Sequence, residues 1–116
     1  MASEDSPVVT IEQGPLTIRS SRQKAEHVVA LYGELDLGGV VAVEDEIRRV
    51  ERTAAARIVV DLSALEFMDS TGARTMLQIY ARSRANGDRI VFLRGGPSVQ
   101  RTLEITGLDG GLPFLD

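Results

Sequence analysis

Residues 59–72 read Val59-Val60-Asp61-Leu62-Ser63-Ala64-Leu65-Glu66-Phe67-Met68-Asp69-Ser70-Thr71-Gly72. With Arg57 and Ile58 in front, the stretch opens as a β-branched apolar run of strand length, the pattern of a strand buried on both faces. Ser63 to Asp69 reads as a loop anchored by Leu65, Phe67 and Met68. A helix begins near Ser70, with Ala73, Met76, Leu77, Tyr80 and Ala81 predicted as its apolar face. Asn86-Gly87 ends it, as Gly past a helix C-terminus commonly does. A buried strand that feeds a helix is half of a parallel crossover, and the same pattern recurs on both sides.

Upstream, Val8 to Ile11 is a candidate short strand, broken by Gln13-Gly14-Pro15. Leu16 to Ser20 alternates apolar and polar residues, and His27 to Tyr32 is nearly all apolar. Across a polar turn from Arg22 to Glu26, these two segments are predicted to pair as an antiparallel hairpin. Gly33 to Gly39 reads as a loop. The helix after it places Val40, Val43, Ile47, Val50 and Ala54 on one face, with Glu44–Arg48 and Asp45–Arg49 as acid-first pairs on its solvated side. Downstream, Arg89 to Leu93 is a further buried strand. Gly95-Gly96 turns, and Pro97 opens a short helix with Val99, Leu103 and Thr106 facing inward. Gly107 stops that helix, and Leu112-Pro113-Phe114-Leu115 is a candidate edge strand. The expected architecture is α/β: one domain, with a mixed β-sheet of about four to five strands and helices packed on it. Residues 1–15 read as an N-terminal extension, partly disordered and frayed over Met1 to Pro7, and residues 16–116 as the domain.

The chain has 116 residues, enough to bury a core without a staple. It contains no cysteine and one histidine, His27, which excludes disulfides, thiolate metal sites and multi-histidine metal sites. A formal charge of −4 argues against nucleic-acid binding, and 4% aromatic residues offer no stacking platform for single strands. The start Met-Ala-Ser-Glu-Asp-Ser-Pro lacks the basic and apolar regions of a signal peptide, and no apolar run has spanning length. A cytoplasmic monomer without membrane contact, cofactor or metal is expected.

In open α/β sheets sites lie beyond the carboxyl ends of the strands, where Gly33 to Gly39, Ser63 to Thr71 and Arg94 to Ser98 are predicted to collect. Asp69, Ser70 and Thr71 open an amphipathic helix there. Capping alone accounts for an Asp or Ser at that position. A hydroxyl at the lip of a strand-to-helix turn is also open to another protein's active site, and a phosphate placed on it would meet the positive end of a helix. His27 reads as a rim residue, and Asp61 as a cap for the loop behind it. Glu34 and Asp36 form a carboxylate pair or cap the loop before the first helix. Gly95-Gly96-Pro97-Ser98 lacks the Gly-Lys-Ser/Thr of a phosphate loop. A hydrolase with Ser70 as nucleophile would need a base, for which only His27 or a carboxylate is available, and Gly-x-Ser-x-Gly is missing.

The strand-loop-Asp69-Ser70-Thr71-Gly72 register closely resembles the signature of bacterial anti-sigma-factor antagonists of the STAS-domain family. Gly33-Glu34-Leu35-Asp36 matches the loop after that family's second strand, and Leu103 to Leu108 resembles its Thr-Gly-Leu helix ending. The resemblance runs from about Leu16 to the C-terminus. It implies a protein that is not an enzyme: it binds an anti-sigma factor that is also a serine kinase, releases a sigma factor, and is switched off when the kinase phosphorylates the serine after the Asp, here Ser70. A PP2C-type phosphatase restores the active form. Thr71 is a second candidate acceptor. The implied partner-binding residues are Asp36, Asp69, Ser70, Thr71, Gly72 and Arg74. The family commonly carries Leu-Gly after Ser-Thr-Gly, where this chain has Ala73-Arg74. Arg74 could touch the partner, pair with the phosphate, or remain a solvated helix residue. STAS domains also serve as accessory subunits of membrane transport ATPases, without a phosphorylation cycle, and that alternative stays open on sequence.

Overall fold

The hairpin predicted upstream is longer than its alternation implies. In the computed structural model, β2 (Leu16–Gln23) and β3 (Glu26–Leu35) pair antiparallel from Leu16↔Gly33 to Gln23↔Glu26. The structure describes residues 7–107 and 111–115. The tail over residues 1–6 and Leu108 lie outside them. Within the segment read as an extension, β1 (Val9–Gln13) pairs antiparallel with β2 along its whole length. Crossovers through α1 (Val40–Glu51) and α2 (Ser70–Ala85) then lay β4 (Arg57–Asp61) and β6 (Ile90–Leu93) parallel to β3. After α3 (Pro97–Ile105), the two-residue β7 (Phe114–Leu115) adds the expected edge beside β6.

Two predicted loops carry strand. Gly33 to Leu35 extends β3, and Leu65 to Met68 forms β5, which runs parallel to that extension. Among the described residues the sheet therefore has seven strands, ordered β1-β2-β3-β4-β6-β7, with β5 on the second half of β3. The expected four to five undercount it because β1, β5 and β7 are short edge elements. In β5 only Leu65 and Met68 point inward, and Phe67 is 43% exposed, an exposed residue where an anchor was expected.

Leu16, Ile18, Val29, Leu31, Ile58, Val60, Ile90 and Phe92 carpet the face of the sheet that the helices cover. Helix α1 buries Val43, Ile47 and Val50 as its spacing predicts, but it ends at Glu51, and Ala54 lies beyond it, exposed. Helix α2 is rotated from the predicted face. It buries Ala73, Met76 and Ile79 together with Thr75 and Ser83, while Leu77 and Ala81 face solvent. Both buried hydroxyls are satisfied: Thr75 Oγ1 donates to the Thr71 carbonyl at 2.9 Å, and Ser83 Oγ accepts from the Ile90 amide at 3.1 Å. Satisfied polar groups pack at little cost, so apolarity alone set the edge of the stripe wrongly, although Ala73, Met76 and half-buried Tyr80 do pack on the core.

His27 is not at the rim. It is 5% exposed, and its Nε2 lies 2.7 Å from Ser20 Oγ. Ser20 also hydrogen-bonds Glu46, a 4%-exposed carboxylate on the buried side of α1. One hydroxyl has one proton, so Ser20 donates to the carboxylate and His27 Nε2–H donates to Ser20. Arg49 closes the chain with two bonds to Glu46, at 2.9 and 2.5 Å, instead of the predicted pair with exposed Asp45. A buried carboxylate loses more than an exposed one when it lacks a partner.

Burial, with the charges of Arg49 and Arg22 and against that of Glu46, holds the His27 pKa below its ordinary value. Burial works to raise Glu46, but the bonds from Arg49 and Ser20 and the nearby positive charge outweigh it and lower the net value. A depressed folded-state pKa contributes stability above the unfolded value and loses it as pH falls. The His27 contribution is therefore whole above about pH 6.5 and fades below it, and that of Glu46 fades below about pH 4.5. Urea midpoints should fall from pH 7.5 to 5.5, and His27→Gln should flatten that slope. The chain's single imidazole should titrate below 6.5 by NMR. A midpoint at or above that value would contradict the buried relay.

Candidate functional site

The extension of β3 and the short β5 end side by side, with Leu35 paired to Met68, and the Leu35 carbonyl accepts the Asp69 amide at 3.1 Å. Asp36 and Asp69 therefore leave the sheet from neighbouring strand ends, as a site at the carboxyl edge requires. Each carboxylate is committed to its own turn. Asp36 Oδ1 accepts the Gly38 amide at 3.0 Å, and Asp69, the N-cap of α2, accepts the Gly72 amide at 2.9 Å. A cap of this kind contributes about 1 kcal/mol. Gly72 sits where α2 presses on β3: a Cβ there would lie 2.8 Å from Met68 Cγ and 3.1 Å from the Leu35 side chain.

These commitments leave Ser70 exposed at the first helical position, with Thr71 half-buried behind it and Arg74 exposed one turn on. Ser70, Arg74, Leu77 and Thr106 line a shallow depression of about 280 Å³. Thr106, at the far end of α3, is the residue sequence reasoning placed inward and so missed. The Arg94 to Ser98 turn, expected at the site, lines no part of this depression. Exposed apolar side chains stand on the elements around it: Leu37 (71%) and Val41 (66%) after β3, Phe67 on β5, Leu77 on α2 and Ile105 (79%) beside Thr106. An exposed hydroxyl beside exposed Leu77, on an edge whose neighbouring elements also expose apolar side chains, suits a protein-docking surface.

The other predicted residues have structural work. Asp61 Oδ1 accepts the Ser63 amide at 2.9 Å and its hydroxyl at 2.6 Å, the loop cap expected of it. A cleft of about 320 Å³ at the opposite end of α2 is lined by Arg48, Arg52, Arg82 and Arg89. Two of its guanidiniums are spent on the fold. Arg89 donates to the carbonyls of Glu51, Thr53 and Ala55, and Arg82 to Glu44 and Glu51. Among the described residues no group of His, Asp or Glu side chains could hold a metal, and no helix is long and apolar enough to cross a membrane.

The fold and site define a single α/β domain that displays a serine hydroxyl on the first turn of a helix, at the carboxyl edge of its sheet. Residues 18–115 match the family described as "Mlab, STAS domain", and the chain belongs to the STAS-domain family. It is similar to an anti-sigma F factor antagonist of Paenibacillus polymyxa, with 29% identity over 103 residues covering 87% of each chain. Its fold is similar to the crystal structure of an anti-sigma factor antagonist from Mycobacterium paratuberculosis, with TM-score 0.71 and 28% identity over 85% of this chain and 84% of that one. It is also similar to the anti-sigma factor antagonist SpoIIAA in its unphosphorylated form, with TM-score 0.64 and 26% identity over 78% and 80%.

Proposed function

We propose that this chain is an anti-sigma-factor antagonist. It binds an anti-sigma factor through the patch around the N-terminus of α2 and so frees a sigma factor. The anti-sigma factor is itself a serine kinase, which transfers the γ-phosphoryl of ATP to Ser70 and ends the complex, and a PP2C-type phosphatase removes the phosphate. The chain acts by binding, as a cytoplasmic monomer, and the phosphoryl chemistry belongs to its partners. One observation carries the reading: Ser70 is an exposed hydroxyl at a helix start whose capping is already done by Asp69. The hydroxyl is therefore spare. Support also comes from relatives named as anti-sigma factor antagonists, one of them described by its phosphorylation state.

A phosphate at the first helical position meets the positive end of α2, so the fold should tolerate it. The docked surface should not, because the partner would have to bury a dianion beside Asp36 and Asp69. The test is intact-mass analysis of the chain purified from its native host, with fragmentation across residues 67–76. One phosphate on Ser70 is expected, and phosphate on Thr71 would move the switch by one residue. An unmodified chain that co-purifies with a transport ATPase would replace this reading with that of a transport subunit.

A further inference from the structure

We propose that Arg74 is a built-in clamp for a phosphoryl group on Ser70, holding the modified side chain against the chain's own helix. This rests on the reading of Ser70 as the phosphoacceptor. The two residues are four apart in α2, so they share a face. Helical side chains lean toward the helix N-terminus, which carries the Arg74 guanidinium back over the turn that begins at Ser70. Both residues line the same 280 Å³ depression, walled by Leu77 and Thr106.

The other polar groups at this rim are already engaged. The Asp69 carboxylate accepts from Gly72, and the Thr106 hydroxyl shares its one proton between the carbonyls of Thr102 and Leu103, at 2.9 and 3.0 Å. Arg74 differs from the arginines of the opposite cleft. Of those, Arg48, Arg82 and Arg89 are tied to Glu44, Glu51 or backbone carbonyls, whereas Arg74 makes no ion pair among the described residues. A guanidinium that is exposed, uncommitted and one turn from a hydroxyl is placed to take two phosphate oxygens at once. The clamp therefore adds to this chain a phospho-form that is internally paired.

An internal pair predicts two properties of the phosphorylated chain. The phosphoserine should give up its second proton more readily, because a nearby cation favours the dianion. The phosphorylated fold should also gain stability that depends on Arg74.

The experiment installs phosphoserine at position 70 by genetic-code expansion, in the wild-type chain and in Arg74→Gln and Arg74→Lys. The phosphate is titrated by ³¹P NMR, and all three chains are melted with and without it. The wild-type midpoint should lie about 0.3 pH unit below that of Arg74→Gln, the scale of an exposed pair four apart on a helix. Arg74→Lys should recover part of the difference. The melting temperature gained on phosphorylation should shrink in Arg74→Gln, while the unmodified wild type and variant melt alike. Equal ³¹P midpoints and equal gains in melting temperature would overturn the clamp. Because the phosphoserine is installed directly, that failure is separate from failure of the functional reading, which shows as a native chain without phosphate on Ser70.

Discussion

Ser70→Asp should weaken binding to the anti-sigma partner by about a hundredfold, while Ser70→Ala should bind within about threefold of wild type and no longer dissociate when ATP is added. Two numbers set this contrast. Truncating an exposed hydroxyl whose helix is capped by another residue removes at most one ordinary hydrogen bond, about 1 kcal/mol. Placing an unpaired charge inside a desolvated contact costs about 2–5 kcal/mol, or roughly thirtyfold and upward in Kd. Asp36 and Asp69 leave the sheet from neighbouring strand ends and add like charge to the same rim. Arg74 does not rescue the complex, because a clamped phosphoryl still stands between the two surfaces. Aspartate is also shorter than phosphoserine and reaches the clamp less well. Calorimetry with the anti-sigma factor recovered on Ser70→Ala measures both variants. If Ser70→Asp binds as tightly as wild type, the α2 N-terminus is not in the interface.

What could be read before the structure was local. The β-branched run at Val59-Val60 and the capped start at Asp69-Ser70 depend on neighbours a few residues away, and both stand as predicted. So does the spacing of Val43, Ile47 and Val50. The misreadings depend on pairing across the chain. Leu65 to Met68 becomes a strand by pairing with the far end of β3 across a register shift between Gly33 and Glu34, and no property of those four residues announces it. Ser20, His27 and Glu46 are polar residues on three different elements, and each alone looks like a surface residue. Together they satisfy one another in the core. Helix α2 was misread for the same reason, since Thr75 and Ser83 are buried by bonds to Thr71 and Ile90. At the site, Ser70 was legible as a candidate, while Thr106 had no signal because only tertiary packing brings the end of α3 to it.

Gly33→Ala should be among the most destabilising single-methyl changes in the chain, at about 3 kcal/mol. Gly33 has φ +84°, where an L side chain is strained, and a Cβ there would stand 2.1 Å from the Pro15 carbonyl oxygen. That oxygen belongs to backbone and is already bonded to the Glu34 amide at 3.0 Å, so it cannot swing aside without breaking the bond. The strain of positive φ costs about 1–2 kcal/mol and a lost backbone hydrogen bond about 1 kcal/mol more. Two other glycines separate these terms. Gly14 has φ +58° with nothing within 4 Å of an added methyl, so Gly14→Ala should show the backbone strain alone. Gly96 has open space and an ordinary φ of −68°, so Gly96→Ala should be near neutral. Urea unfolding of the three variants should rank them in that order. If Gly33→Ala matches Gly14→Ala, the contact with Pro15 yields and only the dihedral matters. If the full ranking holds, the effect should reach the site, because the same register shift sets Leu35 opposite Met68 and the Leu35 carbonyl onto the Asp69 amide. A residual fold of Gly33→Ala should then release the Asp69 amide to hydrogen exchange before the amides of β4, which pairs with the other half of β3.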